Sequence, residues 1–186
     1  MAQLIYSAIC SLDGYIEDSS GYFDWAEPDE QVHRFINDLE REAGSHLYGR
    51  RMYEMMTVWE TDPSFTADSP ILRDFANIWQ SADKIVYSTT LAEVSTSRTR
   101  LERSFDAQAI RRIKESSVGD ILIGGPNLAA QAFEAGLVDQ CLLFLAPVIV
   151  GGGKPSFSAG LRLDLELLHF HRFEGGMVFL RYRVKK

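Results

Sequence analysis

The chain has 186 residues and a mass of 21.0 kDa, a size that a single domain accommodates and that buries most of the surface an unfolded chain would expose. Hydrophobic residues make up 46% and charged residues 24%, the composition of an ordered globular protein rather than a disordered one. The net charge of −7 and pI near 5.1 repel nucleic acid and anionic membrane surfaces, so an anionic ligand has to be held by a local basic group.

The N-terminus, Met1-Ala2-Gln3-Leu4, has no cationic stretch before an apolar core, and no later segment is long and apolar enough to span a bilayer; the expected address is the cytoplasm. Period-two alternation predicts a first strand at about 3–11, ending in Ser11-Leu12-Asp13-Gly14. A helix over 29–43 carries Val32, Phe35, Ile36, Leu39 and Ala43 as one apolar stripe. A short strand at 45–48 leads through Gly49 into a helix over 50–58 that opens on Arg50-Arg51. Asp68-Ser69-Pro70 starts a helix over 70–80, and a strand at 83–88 ends in Ser88-Thr89-Thr90. The clearest unit follows: a strand at 120–124, the turn Gly124-Gly125, and a helix over 126–136 opened by Pro126 and closed by Gly136. Strands at 139–150, 163–172 and 177–184 complete the chain, the last two joined at Glu174-Gly175-Gly176 as a hairpin.

Strands that alternate with helices need a parallel sheet covered on both faces. The expected fold is therefore a three-layer α/β domain over 1–186, mostly parallel, with an antiparallel C-terminal hairpin. Cys10 and Cys141 lie in apolar runs and read as core residues. The four histidines show no metal-ligand spacing, and His169 and His171 share a face of an edge strand; no metal is expected.

Ligands of open α/β sheets bind beyond the carboxyl ends of the strands. Four loops of unusual composition fall there. Gly124-Gly125 allows close approach of a pyrophosphate to the main chain at the positive end of a helix, although a tight turn before a helix needs the same residues. Arg50 and Arg51 suit a phosphate, or form a solvated surface pair. Ser88 and Thr89 offer hydroxyls to a phosphate, or cap a strand end. Their convergence on one sheet edge suits a dinucleotide with an extra ribose phosphate. Gly151-Gly152-Gly153-Lys154-Pro155 lacks the remainder of a P-loop and reads as a turn at the pocket rim, and no Gly-x-Gly-x-x-Gly fingerprint occurs.

Tyr6 to Ile16 and Ala146-Pro147 through Gly151-Gly152-Gly153-Lys154-Pro155 with Phe157 resemble the reductase half of the riboflavin-biosynthesis deaminase-reductase. Tyr48-Gly49-Arg50-Arg51 and Ile123-Gly124-Gly125 are similar to the cofactor segments of dihydrofolate reductase, to which that half is structurally related. The resemblance covers nearly the whole chain. It implies a dihydrofolate-reductase-like fold, a homodimer and an NADPH cofactor, with Ala8 and Ile16 near the nicotinamide. By the same likeness Gly49, Arg50 and Arg51 lie near the phosphates, Ser88 and Thr89 near the adenosine side, and Ile123, Gly124, Gly125, Pro126, Asn127 and Leu128 under the pyrophosphate. The zinc-bearing deaminase half is missing.

A reductase of this kind passes hydride to a C=N or C=O carbon and needs a proton source. Asp13, beside Gly14 at a strand end, is the first candidate, although Asp-Gly is also an ordinary turn pair. Trp25 to Glu30 is similar to the tryptophan and helix-borne carboxylate of dihydrofolate reductase, which implies an acid role for Glu30; helical phase instead turns Asp29 toward the apolar stripe. Ser11, Trp25, Gly152 and Lys154 are the candidate substrate contacts. The expected activity is reduction of a small pterin- or pyrimidine-like heterocycle. The alternatives are the phosphoribosylaminouracil reductase step of riboflavin biosynthesis, with Lys154 nearest to hand for the phosphate, and a non-catalytic nucleotide binder of the same fold.

Overall fold

In chain order the elements are β1 (Leu4–Ser11), β2 (Tyr15–Glu17), α1 (Glu30–Arg41), β3 (Ala43–Gly49), α2 (Arg50–Met56), α3 (Val58–Thr61), α4 (Pro70–Ser81), β4 (Asp83–Tyr87), β5 (Thr99–Glu102), α5 (Ala107–Ser116), β6 (Asp120–Gly124), α6 (Pro126–Glu134), β7 (Gln140–Ala146), β8 (Lys154–Pro155), β9 (Leu165–Arg172) and β10 (Val178–Val184). These come from a computed structural model that describes residues 1–185. Eight strands form one sheet in the order β5-β4-β3-β6-β1-β7-β10-β9. The first six in that order pair parallel, and β10 joins β7 and β9 antiparallel, which is the mixed α/β sheet expected.

Alternate residues of each strand feed two cores, as the pleat requires. Leu4, Tyr6, Ile121 and Ile123 face Ile110 of α5 and Leu128, Ala129, Ala132 and Phe133 of α6. Ile5, Leu122, Leu142 and Phe144 face Val32 of α1, while Tyr48 and Val86 meet Phe75 and Trp79 of α4. Cys10 and Cys141 are buried free thiols, as their apolar surroundings suggest. His169 and His171 lie on the edge strand β9, where His171 stacks on Phe35 at 5.5 Å.

Several boundaries differ from the sequence expectation. Asp29 is the N-cap of α1 rather than its first residue, its Oδ1 accepting from Val32 N–H at 2.9 Å. The helix expected over 50–58 is split at Thr57, whose hydroxyl donates to the Glu54 carbonyl at 2.8 Å. The strand expected to run to 150 stops at Ala146, since Pro147 has no N–H for the ladder. β5 and α5 were not expected, and neither was the small antiparallel ribbon of β2 with β8. That ribbon sets Gly153 so close to the chain at Glu17 that any Cβ there would meet the Glu17 carbonyl oxygen at 2.0 Å.

Candidate active site

Because β1, β3, β4, β6 and β7 run parallel, their carboxyl ends share one edge, and a cavity of about 240 Å³ opens on the α1 side of the sheet next to that edge. The sheet supplies Ser7, Ala8 and Ile9 of β1, His46 and Tyr48 of β3, Leu122, Ile123 and Gly124 of β6, and Leu142 and Phe144 of β7. The opposite walls come from His33, Ile36, Leu39 and Glu40 of α1, Met52, Met55 and Met56 of α2, Trp59 of α3 and Phe75 of α4. It is an apolar slot between four helices and a sheet, the usual form of a small-molecule site.

Its polar groups lie at the inner end. Tyr48 pairs with Gly124 in the sheet and His46 with Leu122, two residues further back from the open edge. Glu40 Oε2 lies 3.4 Å from His46 Nε2 with no hydrogen bond made between them, and among the described residues that nitrogen has no other partner. Burial pushes the Glu40 carboxyl up to about 8 and the His46 imidazole down to about 3, the latter helped by the Lys84 charge. At neutral pH the two are therefore a neutral acid beside a neutral ring, and their proximity is not an ion pair. Burial likewise holds the Tyr48 phenol well above its ordinary value, reinforced by Glu40, while the Trp79 indole N–H donates to its oxygen at 3.2 Å. His33 is tied at Nδ1 to Asn37 Oδ1 at 3.0 Å.

Among the residues singled out from sequence, Ala8, Ile123 and Gly124 line the cavity. Gly125, with φ of +88°, is the N-cap of α6 and makes no side-chain cap, so the first amides of that helix, at Asn127 and Leu128 beyond Pro126, carry no side-chain partner. Gly49 stands in the same way at the start of α2. Arg50 reaches Glu54 Oε1 at 2.7 Å and Thr90 Oγ1 at 3.0 Å in an exposed cluster that exchanges partners at little cost, and Arg51 reaches Glu17, whose side chain is mostly buried, at 3.0 Å. Ser88 Oγ accepts from the amides of Thr90 and Leu91, folding the loop that also carries Thr89. These loops leave the carboxyl ends of parallel strands, on one side of the sheet.

Asp13 is exposed, and its two oxygens accept from the amides of Val150 at 3.2 Å and Gly151 at 2.8 Å. A hydrogen bond from Ser11 and those amides hold its carboxyl below the usual range, so it is an anion that clasps the loop after β7. Ser11 is buried, its oxygen accepting from Tyr15 N–H at 2.9 Å. Ile16, in β2, and Lys154, in β8, lie on the small ribbon, with Gly152 just before it. Trp25 packs against the α1-side core, its Nε1 buried and without a hydrogen-bond partner among the described residues. Glu30 does not line the cavity: it is exposed in a pair with Arg34 at 3.1 Å. The carboxyl that does line it, Glu40, sits in the string Glu40-Arg41-Glu42, which reads in sequence as a solvated helix end; only its place one residue beyond Leu39 of the stripe hints at burial.

The sequence matches the RibD C-terminal domain over residues 2–179. It is 27% identical over 184 residues to YyaP, an uncharacterised protein of Bacillus subtilis strain 168, covering 97% of this chain and 94% of that one. Among solved structures, a protein of Shewanella sp. PV-4 named for riboflavin biosynthesis superposes over the full length of both chains with a TM-score of 0.76 at 23% identity. The deaminase/reductase of Thermotoga maritima superposes with a TM-score of 0.66 at 15% identity, this chain spanning 57% of it. A pyrimidine reductase-like protein of Corynebacterium diphtheriae gives 0.67 at 16% identity. Since that family model spans nearly the whole chain, the chain belongs to the RibD C-terminal domain family.

Proposed function

We propose that the protein is an NADPH-dependent reductase that delivers hydride to a C=N or C=O carbon of a small heterocycle. Membership of a reductase family supports the oxidoreductase class. The observation that carries the cofactor reading is the uncapped N-terminus of α6, where Gly125 turns the chain at positive φ directly beside the cavity-lining Gly124. A pyrophosphate suits those amides and the helix dipole behind them. A Cβ at Gly124 would crowd Met52 Cε at 3.1 Å and the Tyr48 ring at 3.3 Å, so the bare glycine lets these two cavity-lining side chains pack directly on the main chain ahead of the turn. Arg50, Arg51 and the Ser88–Thr90 hydroxyls flank the same edge and suit the ribose phosphate that distinguishes NADPH from NADH.

When bound, the dihydronicotinamide supplies the hydride. The chain's own residues bind and orient: Ala8 and Ile9 border the slot at the sheet edge, Met52 and Met55 cover it, and the apolar walls exclude water. Fluorescence titration with both nucleotides tests the reading. NADPH is expected to bind about ten- to a hundredfold more tightly than NADH, since charge-assisted contacts to one phosphate contribute roughly 1.5–3 kcal/mol. Equal affinities would remove the arginine assignment, and absence of binding by either would remove the reductase reading.

A further inference from the structure

No lysine or arginine is among the described residues that line the cavity. The nearest buried cation, Lys84, spends its Nζ on the carbonyls of Trp79 at 3.0 Å and Ala82 at 2.9 Å. The walls formed by Met52, Met55, Met56, Trp59 and Phe75 adapt to a flat ring, and they offer a phosphate or carboxylate nothing in exchange for its hydration.

Against that apolar lining stands one acid. Glu40 projects from the last turn of α1, and its side chain keeps 17% of its surface while His46 keeps 2%. The His46 nitrogen 3.4 Å away, with no other partner, is the natural acceptor for a carboxyl proton. A carboxyl turned so leaves its second oxygen as an acceptor, and a ring N–H or amino group of a ligand fills that vacancy without introducing charge.

We propose that the cavity takes a flat, uncharged heterocycle bearing a ring N–H or amino group, recognised by the Glu40 carboxyl beside the unpartnered His46 nitrogen, and that it refuses a substrate whose phosphate would have to enter it. This rests on reading the cavity as the substrate pocket of the reductase. It narrows the substrate to a ring that brings no phosphate into the cavity.

Calorimetric titration tests it with four probes: quinazolin-4(3H)-one, a bicyclic lactam with one ring N–H; its N3-methyl analogue; uridine; and uridine 5′-monophosphate. The lactam is expected to bind about tenfold more tightly than its methylated analogue, and the monophosphate no more tightly than uridine. In Glu40→Met the preference for the lactam collapses to within twofold. In Glu40→Gln it survives, since the carboxamide NH₂ donates to His46 and its carbonyl still accepts. On protein carrying 13C-labelled glutamate, the Glu40 carboxyl resonance, assigned by its loss in Glu40→Gln, moves with the lactam and not with the methylated ring. Equal binding of the two rings, no binding of the lactam at 1 mM, tenfold tighter binding of the monophosphate than of uridine, or an unmoved Glu40 resonance would overturn the proposal. NADPH titration of the same samples keeps the two readings apart, since loss of nucleotide binding bears on the reductase assignment and leaves ring recognition to be judged by the four probes.

Discussion

The proton on Glu40 links the candidate site to stability. The folded chain holds that proton up to about pH 8, whereas an ordinary carboxyl releases it near 4.5. Between those values the folded state binds more protons than the unfolded state, so stability falls as pH rises. His46 acts in the opposite sense, because its folded value of about 3 lies below the ordinary 6.5 and stability falls as pH drops below 6.5. The two slopes oppose each other between pH 4.5 and 6.5 and leave a broad maximum there. Above it the Glu40 contribution acts alone, with an expected loss on the order of 1–3 kcal/mol by pH 8. Urea denaturation across this range should show the alkaline decline in the native chain and a flatter profile in Glu40→Gln. An unchanged alkaline slope in that variant would show that the carboxyl is already ionised in the folded state.

At the scale of elements, α6 is held by two glycines of positive φ with different surroundings. Gly125, at +88°, precedes the helix beside the cavity; Gly136, at +63°, follows it with no atom within 4 Å of a would-be Cβ. Alanine at either position strains the backbone by roughly 1–3 kcal/mol. Gly125→Ala is expected to lose that stability and also to weaken NADPH at least tenfold, because its methyl stands where the pyrophosphate would approach the chain. Gly136→Ala should lose stability alone; denaturation and nucleotide titration of the pair check this, and equal nucleotide affinity in both would remove the pyrophosphate from α6. This strand-turn-helix was legible because each signal was local: an apolar run, a glycine pair, a proline at the first turn. α1 was legible for a similar reason, its stripe of Val32, Phe35, Ile36 and Leu39 being continuous. β5 reads Thr-Arg-Leu-Glu with one apolar residue, and its strand character comes from pairing with β4. α5 is capped by Asp106 but buries Lys114, whose Nζ donates to the Leu137 carbonyl at 3.0 Å, so a residue that reads as solvated belongs to the packed face. Glu40 and His46 were illegible for the same reason. Burial of a polar group is decided by what packs over it, and α1 meets β3 only in three dimensions.

For the whole molecule, the net charge of −7 favours solubility, yet one part of the surface runs against it. Leu143 of β7, Leu180 of β10 and Phe170 of β9 occupy one row across three strands, and Tyr182 beside Leu167 continues it. Leu143 and Tyr182 pack at the margin of the core beneath α5 and α6, while further out Phe170 is 64% and Leu167 48% exposed. The edge strand β9 thus presents an apolar flank where a helix would have covered it. We infer that a second copy of the chain covers this flank, since twofold packing sets the row against its own equivalent and removes both apolar surfaces at once. Sedimentation velocity at micromolar concentration is then expected to give a dimer of the 21.0 kDa chain. Phe170→Glu should give a monomer with an unchanged near-ultraviolet spectrum, because the substitution lies on the exposed side and places two buried carboxylates opposite each other only in the dimer. NADPH affinity should survive dissociation, since the row lies on the face of the sheet opposite the cavity. A monomeric native chain, or a Phe170→Glu variant that still sediments as a dimer, would move the interface elsewhere.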